Sequence, residues 1–215
     1  MKKTILAMAV AGLAFLSGTA QANMITIDDF NNGDQSVAPT TIGVPVSSTN
    51  AYRTLTSTLI TTAPPVQSGA EVSFGGLHVT NGGGEDSMVT VQWTLPAFVL
   101  PANAINVSFL FTIIESDPAA TTVDFSLSGA PVASFAIPGG TMNQQLSFTA
   151  DRTLLDAGGE LLMTLNGQVG WDLDLDFVGL YYDLPATGNV PEPSTIALMG
   201  LGLLGLGAVA RRRKS

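Results

Sequence analysis

"VTVQWTL", residues 89–95, sets Val89, Val91, Trp93 and Leu95 on one side of an extended chain and Thr90, Gln92 and Thr94 on the other. Successive side chains of a strand point to opposite faces, so this period of two predicts a strand with one face in a core and one in water. The pattern returns along the chain. "TVDFSLSG" (122–129) sets Val123, Phe125 and Leu127 against Asp124, Ser126 and Ser128. "QQLSFTA" (144–150) repeats it with Leu146 and Phe148, and "WDLDLDF" (171–177) with Trp171, Leu173, Leu175 and Phe177. "INVSFLFTII" (105–114) is apolar on both faces and reads as a central strand covered on both sides, its β-branched and aromatic content arguing against a helix.

Turn-forming clusters separate these runs: "NGGGED" at 81–86, "LPANA" at 100–104, "ESDPAA" at 115–120, "IPGGT" at 137–141 and "DAGGE" at 156–160. Many short strands with Gly, Pro and Asn punctuation indicate an all-β fold, an antiparallel β-sandwich of jelly-roll type with about eight to ten strands. Only "DRTLLDAGG" (151–159) suggests a helical turn. The Ser-, Thr- and Pro-rich stretch from Gln35 to Gln67 predicts loops with one strand near Ala51–Ile60.

Both ends stand apart from this body. Lys2 and Lys3 precede an apolar run from Ile5 to Leu16, and Ala20-Gln21-Ala22 supplies small residues before a cut. That is the layout of a secretory signal peptide over 1–22, which implies signal peptidase and the Sec export machinery as partners. The body is then a sandwich over 23–183, followed by a linker at 184–190. It keeps two cations, Arg53 and Arg152, against sixteen carboxylates, which leaves its formal charge at −14. Such a surface repels nucleic acid and anionic lipid and leaves cations or neutral polymers as partners. With no cysteine in the chain, there is no disulfide, thiolate nucleophile or thiolate metal site.

Enzymatic signatures are scarce. His78, in "GGLHVT", is the chain's single histidine and alternates with Leu77 and Val79 as an outward strand residue. No G-x-S-x-G elbow, H-E-x-x-H, P-loop or dinucleotide fingerprint is present. A glycoside hydrolase needs only two carboxylates, and no specific pair is marked. Asp172, Asp174 and Asp176 project from one face of their strand about 7 Å apart, an arrangement that calls for solvent or a shared cation. An EF-hand does not fit, because Phe177 stands where the loop needs glycine. Asp28 and Asp29 end the first strand, which in a jelly roll often lies beside the last. Asp28, Asp29, Asp174 and Asp176 are therefore a candidate calcium site. "YRTLTSTLI" (52–60) sets Thr54, Thr56 and Thr58 on one face, a spacing that can match an ordered lattice such as ice or a polysaccharide, though threonine favours strands in any case.

The C-terminus is "VPEPSTIALMGLGLLGLGAVARRRKS", residues 190–215. Pro191-Glu192-Pro193 is stiff and extended. Thr195–Ala210 carries no charge and as a helix would reach roughly 24 Å, short of the ~30 Å hydrocarbon core unless flanking arginines snorkel. Arg211, Arg212, Arg213 and Lys214 would hold such a single transmembrane helix with its end in the cytoplasm. This order of elements resembles the PEP-CTERM sorting tail of exported Gram-negative proteins, a tail also labelled an ice-binding protein C-terminal domain. The resemblance covers about the last 26 residues and is silent about the body. It implies that Pro191, Glu192 and Pro193 are a recognition motif, that 195–210 is a transient span, and that the basic cluster is a retention signal. The implied partner is an exosortase, and the implied setting is the exopolysaccharide of a biofilm matrix. The expectation is an exported, non-enzymatic surface or matrix protein, structural or carbohydrate-associated. The alternatives are a secreted hydrolase acting on matrix polysaccharide and a permanently membrane-anchored protein.

Overall fold

Where the sequence alternates with period two, the computed structural model forms strands, and these close into two sheets packed face to face. It describes residues 21–62, 64 and 66–185. The signal segment to residue 20, the linker from 186, Pro191-Glu192-Pro193, the span 195–210 and the Arg211–Lys214 cluster lie outside the described residues. The strands are β1 (Gln21–Asp28), β2 (Gln35–Val37), β3 (Thr41–Ile42), β4 (Val46–Ser47), β5 (Tyr52–Thr61), β6 (Gly69–Ser73) and β7 (Gly76–Thr80). There follow β8 (Asp86–Leu95), β9 (Ile105–Ser116), β10 (Thr121–Leu127), β11 (Ala130–Ile137), β12 (Met142–Thr149), β13 (Gly159–Gly167) and β14 (Leu173–Leu184). One helical turn, α1 (Arg152–Ala157), precedes β13. Asp151 caps it by accepting a hydrogen bond from the Thr153 amide, and Gly158, at φ 71°, ends it.

Sheet I runs β12-β9-β14-β7-β6-β2, with β1 also paired to β14. Sheet II runs β11-β10-β13-β8-β5-β3, with β4 also paired to β5. Fourteen strands among the described residues exceed the expected eight to ten. Much of the surplus is β2, β3 and β4, two or three residues each, in the stretch expected to be mostly loop. They pair with β5 and β6 and so satisfy backbone groups that would otherwise lie bare at sheet edges. Two hairpins, β6–β7 and β10–β11, turn on two residues with positive φ, Phe74-Gly75 and Ser128-Gly129. Such turns match the twist of the strands they join.

Val89, Val91, Trp93 and Leu95 are buried, as are Val123, Phe125, Leu127, Trp171, Leu173 and Leu175. Two expectations need correction. β9 is covered on one face only: Val107, Phe109, Phe111 and Ile113 are buried, while Leu110, Thr112 and Ile114 are half-buried, because among the described residues no third layer covers the outside. Phe177 does not point inward. β-bulges on either side of Leu175 shift the register against β9, so Val178 and Leu180 take the core positions and the Phe177 ring lies over Gly179.

Two clusters join the sheets. Phe148 of sheet I stacks on Phe109 of the same sheet at 5.2 Å between ring centroids and packs on Phe125 of sheet II at 4.6 Å, and Phe111 and Phe135 complete the group. The second cluster is polar. Asp28, at the end of β1, accepts from Arg53 Nη1 at 2.7 Å and Trp93 Nε1 at 2.8 Å on one oxygen, and from the Phe30 amide at 2.9 Å on the other. Arg53 Nη2 also donates to the carbonyls of Asn32 and Gly33, and the guanidinium lies 5.5 Å from the Phe30 ring centroid. Asp28 and Arg53 are both 0% exposed.

A buried pair of this kind contributes little compared with an apolar replacement, but removing one member strands the other charge. Arg53→Met should cost about 3–5 kcal/mol in urea unfolding. A cost under about 1 kcal/mol would mean that Asp28 finds water or another partner. Phe74 is fully exposed at φ 52°, a region where a non-glycine residue costs about 1–2 kcal/mol and asparagine is better tolerated. Phe74→Asn should therefore raise the thermal midpoint; a lowered midpoint would show that the ring stabilises the turn.

Candidate functional site

The four residues expected to share calcium are not brought together. β1 does lie beside β14, as the jelly-roll argument required, but Asp28 points into the core and its oxygens are occupied by Arg53, Trp93 and the Phe30 amide. Asp29 accepts from Thr49 Oγ1 at 2.6 Å and the Asn31 amide at 3.2 Å. Asp176 is exposed beside the β14 bulge, and Asp174 faces His78. Among the described residues no group of three or more His, Asp or Glu is set to hold a metal ion.

Strand register assembles a different acidic group on the outside of sheet I. Ser36 pairs with Glu71, Glu71 with His78, His78 with Asp174, Asp174 with Glu115, and Glu115 with Met142. This row crosses β2, β6, β7, β14, β9 and β12. His78 Nδ1 lies 3.0 Å from Asp174 Oδ1, each side chain about one-third exposed, and His78 Nε2 lies 3.3 Å from the Ser73 carbonyl. The outward, half-exposed position expected for His78 is thus found, and its partner Asp174, expected to share calcium, pairs with the imidazole instead. Beside the row, Glu115, Asp117, Asp172 and Asp174 line a depression of about 390 Å³ with Thr80.

Hydrogen bonding separates the carboxylates into two kinds. Those of Asp29, Glu85, Asp151 and Asp183 are held below the usual range, first by the hydroxyls of Thr49, Ser68, Thr153 and Tyr181 respectively. Asp29, Glu85 and Asp151 tie loops and a helix cap, and Asp183 ties β14 to Asn106 of β9. Asp172 is pushed the other way, first by burial and then by the charges of Asp117 and Asp174, although the Asn81 amide donates to it at 2.6 Å. Asp172 is set there by its neighbours: Trp171 is wholly buried, its Nε1 donating to the Ser87 carbonyl at 3.0 Å, and Asn81 Nδ2 donates to the Trp171 carbonyl at 2.5 Å.

The outside of sheet II has the opposite chemistry. Ile42, Thr56, Thr90, Thr164, Asp124 and Ser134 form one in-register row across β3, β5, β8, β13, β10 and β11. A second row, Thr54, Gln92, Leu162, Ser126 and Pro131, runs beside it. Thr54, Thr56 and Thr58 do share the outward face, as expected from their spacing, and they form one edge of a broader hydroxyl-bearing surface. The row on sheet I is thus acidic, while the two rows on sheet II carry hydroxyls with Asp124 as their one carboxylate; Glu160 lies beside them and accepts from Gln92 Nε2 at 2.6 Å.

The family described as the PEP-CTERM protein-sorting motif matches residues 189–214. The chain carries a PEP-CTERM sorting motif. The motif implies an exported protein that is processed in the envelope by an exosortase. No helix among the described residues is long and apolar enough to cross a membrane. No curated protein matches the chain. Among solved structures, the chain is similar to a family 29 carbohydrate-binding module from Piromyces equi, at 8% identity over 75% of this chain and 91% of that one, with a TM-score of 0.38. It is also similar to a family 11 carbohydrate-binding module from Clostridium thermocellum, at 14% identity over 76% and 96%, with a TM-score of 0.35. At these scores the likeness carries no argument about ligand.

The raised Asp172 carries a sign that can be measured. A carboxyl whose pKa is higher folded than unfolded weakens the fold as pH rises through that interval, because the charged form is the disfavoured one in the native state. Asp172→Asn keeps an acceptor for the Asn81 amide and removes the repulsion from Asp117 and Asp174. At neutral pH it should stabilise the fold by no more than about 1 kcal/mol, since the site is partly solvent-screened. The gain should vanish once pH falls below the carboxylate range. Thermal unfolding at several pH values reads this, and a loss of stability at neutral pH would contradict it.

Proposed function

We propose that this protein is a non-enzymatic component of the cell surface or extracellular matrix of a Gram-negative bacterium. In this reading residues 1–22 direct it through the Sec machinery, and signal peptidase removes them. Residues 195–210 hold the precursor in the inner membrane, with Arg211, Arg212, Arg213 and Lys214 retained inside. An exosortase then acts near Pro191-Glu192-Pro193 and releases or transfers the body, whose role in the exopolysaccharide matrix is structural or carbohydrate-associated.

The observation that carries this reading is the sorting motif at 189–214, which follows a sandwich whose last strand ends at Leu184. A cut near Pro191 lies beyond the last described strand, and removal of 1–22 takes only Gln21 and Ala22 from β1, so processing and a stable product are compatible. The charge of the body supports the choice of partner, because its excess of carboxylates disfavours anionic polymers.

A second reading, a hydrolase acting on matrix polysaccharide, is favoured by the depression that brings Glu115, Asp117, Asp172 and Asp174 together. Glycoside hydrolysis needs one carboxyl kept protonated and one ionised, and Asp172 is raised in the direction of an acid. Release of reducing sugar from matrix polysaccharide, abolished in Asp172→Asn, would establish the hydrolase and displace the first reading.

The sorting claim is read by intact mass of the protein recovered from medium and membrane fractions of its host. The expected mass begins at Asn23 and ends near Pro191–Ser194, with or without an added group. A mass running through to Ser215 in the membrane fraction would contradict processing and leave a permanently anchored protein.

A further inference from the structure

We propose that the outer face of sheet II binds an uncharged, extended glycan that runs across the strands, with one sugar seated in a depression at the β10–β11 bulge. This rests on the reading of the body as a carbohydrate-associated matrix protein and names the class of polymer it takes.

Neighbouring strands lie about 4.7–4.9 Å apart, so the row Thr56, Thr90, Thr164, Asp124 and Ser134 presents a polar side chain at each such step. An extended glycan advances by a similar step per sugar, so each ring meets a fresh hydroxyl or carboxylate. A threonine hydroxyl both donates and accepts, as sugar hydroxyls do, and its methyl group packs against ring C–H groups. The sheet's twist asks only that the glycan twist with it.

Charge narrows the polymer. Asp124 is the one charged residue of the two rows, and no cation faces a partner there. Arg53 is buried against Asp28, and Arg152 is engaged by Asp156 and the Leu100 carbonyl. An anionic polymer would meet a body of charge −14 with no compensating site.

The end of the row is concave. Between Phe125 and Ser126 the register against β11 slips by one residue, so Val132 is the extra residue of a bulge. The bulge opens a depression of about 430 Å³, with Asp124, Ser126, Ser134 and Thr164 on its polar side and Pro131 and Val132 on its apolar side. That volume suits a small ligand group. The four polar side chains make no hydrogen bond to other side chains or loops among the described residues, so their capacity faces outward. A carboxylate there can accept from adjacent hydroxyls of one sugar, while Pro131 and Val132 take its apolar face.

The test uses the exported protein, with cellohexaose, mannohexaose and xylohexaose as uncharged extended probes and oligogalacturonate as the anionic comparison, read by isothermal titration calorimetry. At least one uncharged probe should bind and oligogalacturonate should not. Asp124→Ala and the pair Thr90→Val, Thr164→Val should each weaken binding about tenfold, while His78→Ala on the opposite face should leave it unchanged. Unchanged thermal midpoints keep the outward variants interpretable. Binding by none of the three uncharged probes, equal binding of oligogalacturonate, or loss through His78→Ala alone would overturn the proposal. Intact mass is taken on the same preparation. A correctly processed protein that ignores the uncharged glycans therefore overturns this inference and leaves the sorting reading standing.

Discussion

Asp28 is an ion that water does not reach, and the position of much of the molecule follows from how it is satisfied. Its three hydrogen bonds come from a β5 arginine, a β8 tryptophan and the Phe30 amide that follows β1. Since β1 pairs with β14, and β5 pairs with β8, the contact reaches from the middle of one sheet to the other. An ion pair with no solvent tolerates little displacement, because either charge left alone costs far more than the pair contributes. The aromatic cluster of Phe109, Phe125 and Phe148 joins other strands of the two sheets by contact area. Together they hold two plates in one registration.

That registration has consequences on the outside. Each sheet projects its inward residues into a shared core, so the outward residues are sorted into rows by strand pairing. On sheet I the rows collect Glu71, His78, Asp174 and Glu115; on sheet II they collect Thr56, Thr90 and Thr164. The carboxylates of sheet I fall into one row with His78, while on sheet II Asp124 and Glu160 flank rows made mostly of hydroxyls. The two faces differ in their chemistry, which matters for a protein whose sorting motif implies export.

Period two was enough to read most of the strands, because a half-buried strand records its two environments residue by residue. Val89 to Leu95 and Val123 to Leu127 behave as their alternation requires. It failed where the backbone changes phase. The β14 bulges are invisible in "WDLDLDF", and they turn Phe177 outward. The candidate calcium site failed for another reason. Adjacency of β1 and β14 follows from the jelly-roll pattern, but the face that Asp28 takes is decided by its partner, Arg53. The sequence held a usable signal: with Thr54, Thr56 and Thr58 outward, Arg53 shares the inward side with Leu55, and a buried arginine needs a carboxylate. Both outward rows join residues far apart in the chain, such as His78 with Asp174, and strand order is not contained in local pattern. The tail is the reverse case. Its motif is local, so it was legible without any fold.

The account stands on the two sheets being locked at Asp28, since rigid plates are what give the outer rows their fixed spacing. The most direct measurement is hydrogen exchange of the Trp93 indole Nε1–H, followed by NMR in the exported protein, where Trp171 provides the second indole signal. The account predicts that the Trp93 proton exchanges only with global unfolding, at the same free energy that urea denaturation reports. Exchange at a much lower free energy, while the Trp171 proton stays protected, would show that the Asp28 network opens on its own and would contradict the claim.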